Sequence, residues 1–252
     1  MRGLILAAGR GSRLGAQTAD KPKCMTLLGG KTLLQWTLEC MHASGIRQIA
    51  LVRGYLGNTL TENGLVFFEN ERWAETNMVH SLICASEWME SETTLLSYSD
   101  IVYPAQTVDI IAAAEGDIVV SYNTEWLDIW KARFEDPFSD AETFILDGKG
   151  ILKEIGKKPT HLDQVQGQYM GLIKISSTGW KQISSYLKSL GQEKTDKLDM
   201  TSLLNGLINS GVEIHTVPVS GKWYEIDNEN DLKVCQQLID EGKSWISSGM
   251  KA

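Results

Sequence analysis

The chain has 252 residues, of which 42% are hydrophobic and 22% are charged, and its formal net charge is −8. This composition predicts a single globular domain with a substantial core. The negative charge argues against nucleic-acid binding and against adsorption to anionic membranes. The apolar runs are too short for a signal peptide or for membrane insertion. Four cysteines without metal-like spacing predict reduced thiols and a cytoplasmic location.

The first predicted element is a buried strand over residues 4–8, followed at once by a glycine-rich basic loop over residues 9–13. The apolar run is too short for a helix that must stop at Gly9. Glycine permits a tight turn and exposes backbone N–H groups, which bind phosphates. The two arginines of the loop, with Lys23 just beyond it, supply positive charge for a polyanion. The stretch therefore predicts a nucleoside triphosphate site.

This loop matches neither of two common phosphate-binding patterns. No Gly-Lys-Ser/Thr follows at the spacing of a P-loop. Gly9 and Gly11 are followed by Leu14 and not by the third glycine of the dinucleotide fingerprint. The two glycines alone would fit a plain tight turn equally well.

The rest of the first half alternates predicted helices and strands. Helices are predicted over 33–44, 79–88 and 106–114, the second capped by Asn77. Strands are predicted over 48–52, 65–68, 93–98 and 117–121. This alternation predicts an α/β fold with a doubly wound, mostly parallel central sheet covered on both faces. Ligands bind at the carboxyl ends of such strands, so the glycine loop and Asp100 should share one edge.

The second half is predicted to contain hairpins and further helices, and to form a small substrate-facing lobe. Strands are predicted over 143–146 and 151–155, joined by an Asp147-Gly148 turn, and over 168–175, 213–219 and 223–226. Helices are predicted over 126–133, 177–190, 199–209 and 228–241. Because no linker separates the halves, we expect one domain over 1–252. Residues 1–121 would be its nucleotide-binding half, and 122–252 its acceptor-binding and closing half.

The loop is part of a longer string, Leu-Ala-Ala-Gly-x-Gly-Ser-Arg-Leu over residues 6–14, with Lys23 following Pro22. This string resembles the signature of the nucleotidyltransferases that make activated sugars and alcohols. The resemblance implies their Rossmann-like (GT-A type) fold and makes Arg13 and Lys23 the catalytic residues that hold the α-phosphate. The implied nucleotide-binding residues are Leu6, Ala7, Ala8, Gly9, Gly11, Ser12, Arg13, Lys23, Asn77 and Ser81.

Two aspartates are candidate ligands for Mg²⁺. Asp100 follows a predicted strand and Asp227 begins the last predicted helix, and each alone would equally fit a cap or a turn. The family has metal-binding aspartates at both places, so the resemblance implies that both hold Mg²⁺ as the cofactor. Mg²⁺ usually takes one or two carboxylates together with phosphate oxygens. The reaction needs alignment and neutralisation of two anions, with no covalent step on the protein.

Five residues are candidate acceptor contacts. Lys158 matches the Lys-Pro that binds the incoming phosphate in the wider family. A solvated basic turn is one alternative, and the same role for Lys157 is another. Aromatic faces beside a carboxylate bind ammonium groups, which favours Trp126, Trp130 and Glu225; core packing of the tryptophans is the alternative. Asp199 either faces the acceptor or caps its helix.

The segment Thr-Asn-Met-Val-His-Ser over residues 76–81 resembles cytidylyltransferases that activate small phosphorylated amines. It replaces the glycine-rich segment that sugar enzymes have around the base, and their Leu-x-Pro-Leu-Thr segment is also absent. Four further segments resemble bacterial choline-phosphate and phosphoglutamine cytidylyltransferases: residues 97–103, 140–143, 168–172 and 223–227. The resemblance implies transfer of CMP from CTP to a small phosphorylated or phosphonate acceptor for a capsule or cell-surface polysaccharide. It leaves a homodimer open.

Two other functions stay open. A sugar-1-phosphate nucleotidyltransferase would release pyrophosphate from UTP or dTTP with a sugar phosphate. A non-catalytic nucleotide-sensing module would bind CTP tightly without turnover, although a sensor need not keep Lys23 together with both aspartates.

Overall fold

Within residues 1–246, which the computed structural model describes, a seven-stranded sheet forms the centre of the fold. Residues 247–252 of the predicted domain lie outside the described residues. The strands are β1 (Arg2–Ala7), β2 (Leu27–Leu28), β3 (Lys31–Thr32), β4 (Ile49–Arg53), β5 (Leu65–Glu69), β6 (Thr94–Tyr98), β7 (Ile101–Val102), β8 (Ile118–Asn123), β9 (Phe144–Leu146), β10 (Leu152–Ile155), β11 (Gln168–Ile175), β12 (His215–Val219) and β13 (Tyr224–Glu225). The α-helices are α1 (Leu33–Ala43), α2 (Met78–Cys84), α3 (Ser86–Met89), α4 (Ala105–Ala113), α5 (Trp126–Arg133), α6 (Ser177–Leu190), α7 (Gln192–Lys197), α8 (Met200–Asn209) and α9 (Glu229–Asp240).

The strand order β12-β8-β11-β6-β1-β4-β5 confirms the predicted doubly wound α/β fold. Strand β1 pairs in parallel with β4 and with β6, β4 pairs in parallel with β5, and β8 pairs in parallel with β12. Strand β11 runs antiparallel to both of its neighbours. Successive residues of β1 point to opposite faces. Leu4 and Leu6 therefore pack into one hydrophobic core, and Ile5 and Ala7 into the other.

The predicted hairpin is confirmed as the antiparallel pair β9 and β10, which lies outside the central sheet. It packs against α8, and Phe144, Leu152 and Leu203 are buried where the two meet one of the cores. No helix within the described residues is both long and apolar enough to cross a membrane.

Two helical predictions need correction. The helix predicted over 79–88 divides at Ala85 into α2 and α3, because the backbone there (φ −102°, ψ 24°) leaves the helical region. Helix α7 was not predicted, since its six mostly polar residues are too few to show a helical period. The predicted cap of α2 is confirmed: the Asn77 side chain accepts a hydrogen bond from the Met78 N–H.

Candidate active site

A short antiparallel ribbon of β7 and β13 brings the two candidate metal ligands together. Ile101 pairs with Glu225 and Val102 with Tyr224. Beside the ribbon, the Ile226 N–H donates to the Asp100 carbonyl at 2.9 Å. Asp100 and Asp227 consequently lie at the same end of the ribbon, although 127 positions separate them in the chain.

Lys23 lies between these two carboxylates. Its Nζ is 2.6 Å from Asp100 Oδ2 and 2.8 Å from Asp227 Oδ1. Arg13 Nη2 is 3.2 Å from the same Asp227 oxygen. Lys23 is 9% exposed, whereas the Arg13 side chain is largely exposed and can move toward a ligand. The structure thus brings four of the candidate residues together in one charged cluster: Arg13, Lys23, Asp100 and Asp227.

The glycine loop packs directly on the side chain of Lys23. Gly11 has a φ of +70°, and a Cβ atom there would lie 2.8 Å from carbons of the Lys23 side chain. Thr18 Oγ1 donates to the Gly11 carbonyl at 3.0 Å and holds the loop against Ser12–Thr18, a 3₁₀ helix that begins at Ser12. Glycine is therefore required here both for its backbone conformation and for its lack of a side chain.

The charges of the cluster shift the pKa values of its members. Burial alone would lower the pKa of Lys23, but the Asp100 and Asp227 carboxylates raise it well above its usual range. Burial alone would raise the pKa of Asp227, but Lys23 and Arg13 lower it. Lys23 is therefore an ammonium group and Asp227 a carboxylate at neutral pH.

A cavity of about 160 Å³ lies between the carboxyl end of β1 and the start of α2. Five of the candidate nucleotide-binding residues line it: Leu6, Ala8, Gly9, Asn77 and Ser81. The side chain of Ala7 does not line it, because it points into the opposite core.

A polar network fixes the wall of this cavity. Asn70, which is buried and was not predicted from the sequence, donates to Ser81 Oγ at 3.0 Å and to Thr76 Oγ1 at 3.2 Å. The Asn77 N–H donates to the Asp196 carbonyl at 2.6 Å. The start of α2 is therefore held by the second half of the chain.

Beside the charged cluster lies a buried ion pair of Arg133 and Asp231. Arg133 Nε is 2.8 Å from Asp231 Oδ1, and Arg133 Nη1 is 3.1 Å from Glu225 Oε2. Burial raises the pKa of Glu225, and the Asp227 charge raises it further. Neither Arg133 nor Asp231 was predicted as a site residue, because both occupy helix-terminal positions where such charges are common without any function.

The prediction that Trp126 and Trp130 line an acceptor pocket is wrong in this structure. Both are buried in the core, at 4% and 1% exposure. Trp126 Nε1 donates to the Val165 carbonyl, and the Trp130 ring stacks on Trp223 with 5.7 Å between centroids. Their ring faces are covered by protein, so no ammonium group can reach them.

Two other acceptor candidates have structural partners. Asp199 caps α8 by accepting a hydrogen bond from the Ser202 N–H at 2.7 Å, as the capping alternative predicts. Exposed Lys158 donates to the carbonyls of Phe138 and Ser139.

Comparison with known proteins identifies the family of the chain. The family model for the MobA-like NTP transferase domain matches residues 3–165. The CTP:phosphoglutamine cytidylyltransferase of Campylobacter jejuni is 34% identical over 251 residues, covering 93% of this chain and 98% of that protein. The choline-phosphate cytidylyltransferase of Streptococcus pneumoniae is 31% identical over 91 residues, covering 34% and 40%.

Solved structures share the fold. The inositol-1-phosphate CTP transferase from T. maritima matches with a TM-score of 0.74 and 20% identity, over 94% of this chain and 95% of that one. The CTP:phosphocholine cytidylyltransferase from Streptococcus pneumoniae matches with a TM-score of 0.67 and 16% identity, over 94% and 98%. With the family model matching more than half of its length, the chain belongs to the MobA-like NTP transferase family and is an enzyme.

Proposed function

We propose that this enzyme is a Mg²⁺-dependent cytidylyltransferase. It would transfer CMP from CTP to a small phosphorylated amine or alcohol, with phosphoglutamine the first acceptor to test, and release pyrophosphate. The observation that carries the proposal is the charged cluster together with the 160 Å³ cavity. The glycine loop connects the two, because Gly9 lines the cavity and Gly11 packs on Lys23. The similarity to a phosphoglutamine enzyme over nearly the whole of both chains supports the choice of nucleotide and acceptor.

In the proposed reaction, an oxygen of the acceptor phosphate attacks the α-phosphorus of CTP. The bond between this phosphorus and the oxygen that bridges it to the β-phosphate breaks, and pyrophosphate leaves. Lys23 and Arg13 neutralise the charge that develops on the α-phosphate, and the glycine loop holds the remaining phosphates through backbone N–H groups. The cavity at the start of α2 takes the base, with Asn77 and Ser81 beside it.

The residues present fit a magnesium ion. Asp100 Oδ1 is buried and has no hydrogen-bond partner among the described residues, so one oxygen of a candidate ligand is free to bind a cation. Within residues 1–246, no group of three or more His, Cys, Asp or Glu side chains could hold a metal. Asp100 and Asp227 would therefore bind Mg²⁺ together with phosphate oxygens of CTP, as this ion commonly does. Bound Mg²⁺ would neutralise phosphate charge and orient the triphosphate.

We propose fewer acceptor-binding residues than the sequence predicts. Glu225 stays a candidate, because it is two residues from Asp227 in the chain and its carboxyl group is held by Arg133. Lys158 and Asp199 stay candidates for the acceptor phosphate and amine, whereas the two buried tryptophans are withdrawn. We place the reaction in the cytoplasm, consistent with four free cysteine thiols, and its product in capsule or cell-surface polysaccharide synthesis.

A pyrophosphate-release screen tests the proposal. The purified protein is incubated with CTP, UTP, dTTP or ATP, each with phosphoglutamine, phosphocholine, 2-aminoethylphosphonate or glucose 1-phosphate, with Mg²⁺ or EDTA. We expect Mg²⁺-dependent release only with CTP and a phosphorylated amine. Release with UTP or dTTP and glucose 1-phosphate, and none with CTP, would instead identify a sugar nucleotidyltransferase. Tight CTP binding without turnover for any acceptor would identify a sensing module.

A further inference from the structure

The Arg133–Asp231 pair reaches the charged cluster through the backbone of Asp227. Asp231 is the third residue of α9 and is fully buried. Its Oδ2 accepts hydrogen bonds from the Asp227 N–H at 3.0 Å and from the Asn228 N–H at 3.2 Å. The Asn228 side chain accepts in turn from the Asp231 N–H at 3.0 Å. The residue that carries a candidate metal-binding carboxylate is thus tied directly to Asp231.

Arg133 fixes the orientation of the Asp231 carboxylate. Its Nε and Nη2 donate to the two carboxylate oxygens at 2.8 and 3.0 Å, a bidentate arrangement that sets both position and plane. The guanidinium carbon lies 4.7 Å from the centroid of the Trp130 ring and 5.0 Å from that of Phe134. With a side chain only 3% exposed, Arg133 has little freedom to turn away.

A further contact joins the end of α5 to the start of α9. Asn230 Nδ2 donates to the Arg133 carbonyl at 3.1 Å, so a side chain of α9 binds the backbone of α5. These contacts form a continuous path from the aromatic core, through the Arg133–Asp231 pair, to the peptide N–H of Asp227.

We propose that the Arg133–Asp231 pair positions the Asp227 carboxylate for cation binding, with both members acting as positioning residues. This inference rests on the proposed function, in which Asp227 holds Mg²⁺ together with the phosphates of CTP. Groups that orient a ligand without touching the metal commonly change metal affinity or activity by about 10- to 100-fold when altered. A purely structural ion pair would change stability and leave cation affinity unchanged.

Asp231→Asn and Arg133→Lys test the inference with little change in volume. The first keeps an oxygen for the amide N–H groups but loses the charge, and the second keeps a charge but loses the bidentate geometry. We expect the apparent affinity for Mg²⁺ to fall about 10- to 100-fold in each variant, with a much smaller change in the KM for the acceptor. Ile183→Ala, in α6, is the control, because it removes buried apolar atoms from the opposite core.

A binding measurement without turnover separates cation affinity from catalysis. Mn²⁺ is titrated into protein and CTP with no acceptor, and the free ion is followed by electron paramagnetic resonance. We expect the same 10- to 100-fold loss for Asp231→Asn and Arg133→Lys, and wild-type affinity for Ile183→Ala. Wild-type Mn²⁺ affinity in both test variants, with Tm lowered as in the control, would overturn the inference and leave a structural pair.

Amide hydrogen exchange in the wild type needs no variant and so covers the case in which a substitution prevents folding. We expect slow exchange of the Asp227 and Asn228 N–H groups, because Asp231 accepts both. Exchange at the rate of an unstructured peptide would overturn the inference.

Asp227→Asn distinguishes the two proposals. Unchanged Mn²⁺ affinity in that variant would contradict the metal role of Asp227 itself. A loss of affinity in Asp227→Asn with no loss in Asp231→Asn would contradict only the positioning role.

Discussion

Lys23 occupies the place between two carboxylates where a divalent cation would also be attracted. Its ammonium group contacts oxygens of both Asp100 and Asp227, which are the proposed ligands of Mg²⁺. Mg²⁺ would therefore replace the Lys23 ammonium group between the carboxylates as the substrate complex forms. Lys23 would turn from the carboxylates to the α-phosphate, and the carboxylates would keep a positive partner throughout.

Replacing the ammonium should separate these two roles of Lys23. Lys23→Met keeps the carbon chain on which Gly11 packs but removes the charge. We expect kcat to fall by about 10²- to 10³-fold, as when one preorganised donor to a developing oxyanion is removed. We also expect Mg²⁺ alone to raise the Tm of the variant more than that of the wild type, because no ammonium competes. Lys31→Met, at an exposed pair with Glu39, is the control, and wild-type kcat in Lys23→Met would remove the assigned role.

Gly11 should be sensitive to a single added methyl group. In Gly11→Ala the positive φ costs about 1 to 2 kcal/mol, and the new Cβ also presses on Lys23. Gly30→Ala is a matched control, because Gly30 has a φ of +83° with nothing within 4 Å of its Cβ position. Both variants should lose similar stability in thermal unfolding, but only Gly11→Ala should also lose about tenfold or more in kcat. Equal kcat in the two variants would contradict the link to Lys23.

The residues that could be predicted from the sequence share one property: each lies in a recognisable local string. Arg13 ends the glycine loop, Lys23 lies just beyond it, and Asp100 follows a strand. Arg133 could not be predicted in this way, since its burial depends on aromatic rings and on α9, nearly a hundred residues later. The acceptor contact predicted for Trp126 is wrong for a related reason. A high count of tryptophans does not indicate which of their rings are buried in the core.

At the scale of elements, α2 connects the proposed nucleotide cavity to the second half of the chain. Asn77 caps this helix, lines the cavity and donates its N–H to Asp196. The cap was predictable, because asparagine before an apolar helical run is a local signal. The contact with α7 was not, since a six-residue polar helix after Gly191 shows no periodic pattern.

Removing this cap should affect ligand binding as well as stability. Asn77→Ala should lose about 1 kcal/mol of unfolding free energy and raise the KM for CTP, because the cavity wall loosens. Ser176→Ala is the control: Ser176 caps α6 by accepting from the Gly179 N–H at 3.0 Å, so it should lose similar stability with no change in the KM for CTP. Thermal unfolding and initial rates measure both effects. A similar KM in the two variants would exclude Asn77 from the nucleotide site.

At the scale of the whole molecule, the two halves of the chain share one sheet. Strand β11, from the second half, lies between β6 and β8. It pairs with β6 over residues 172–175 and with β8 at both of its ends. Removing it would leave two strands with unpaired backbone groups and uncovered apolar faces. We therefore do not expect the predicted nucleotide-binding half to be a separate folding unit.

The fragment 1–121 should not fold by itself. We expect it to show no cooperative thermal transition by circular dichroism and to aggregate when expressed alone, because β6 loses one neighbour, and β8 loses both of its neighbours and its last two residues. Expression together with 122–252 should restore soluble protein, and the intact chain should unfold in one transition. A fragment that is monomeric and melts cooperatively would contradict this prediction.

The ribbon of β7 and β13 also sets when the enzyme can first work during its own synthesis. Asp100 leaves the ribosome long before the chain around Asp227 is made, and Lys23 has only one of its two carboxylate partners until then. The ribbon can close only after residue 225 has emerged. A nascent chain that has not reached this point lacks one of the two carboxylates that contact Lys23, so the proposed nucleotide chemistry requires the chain through Asp227.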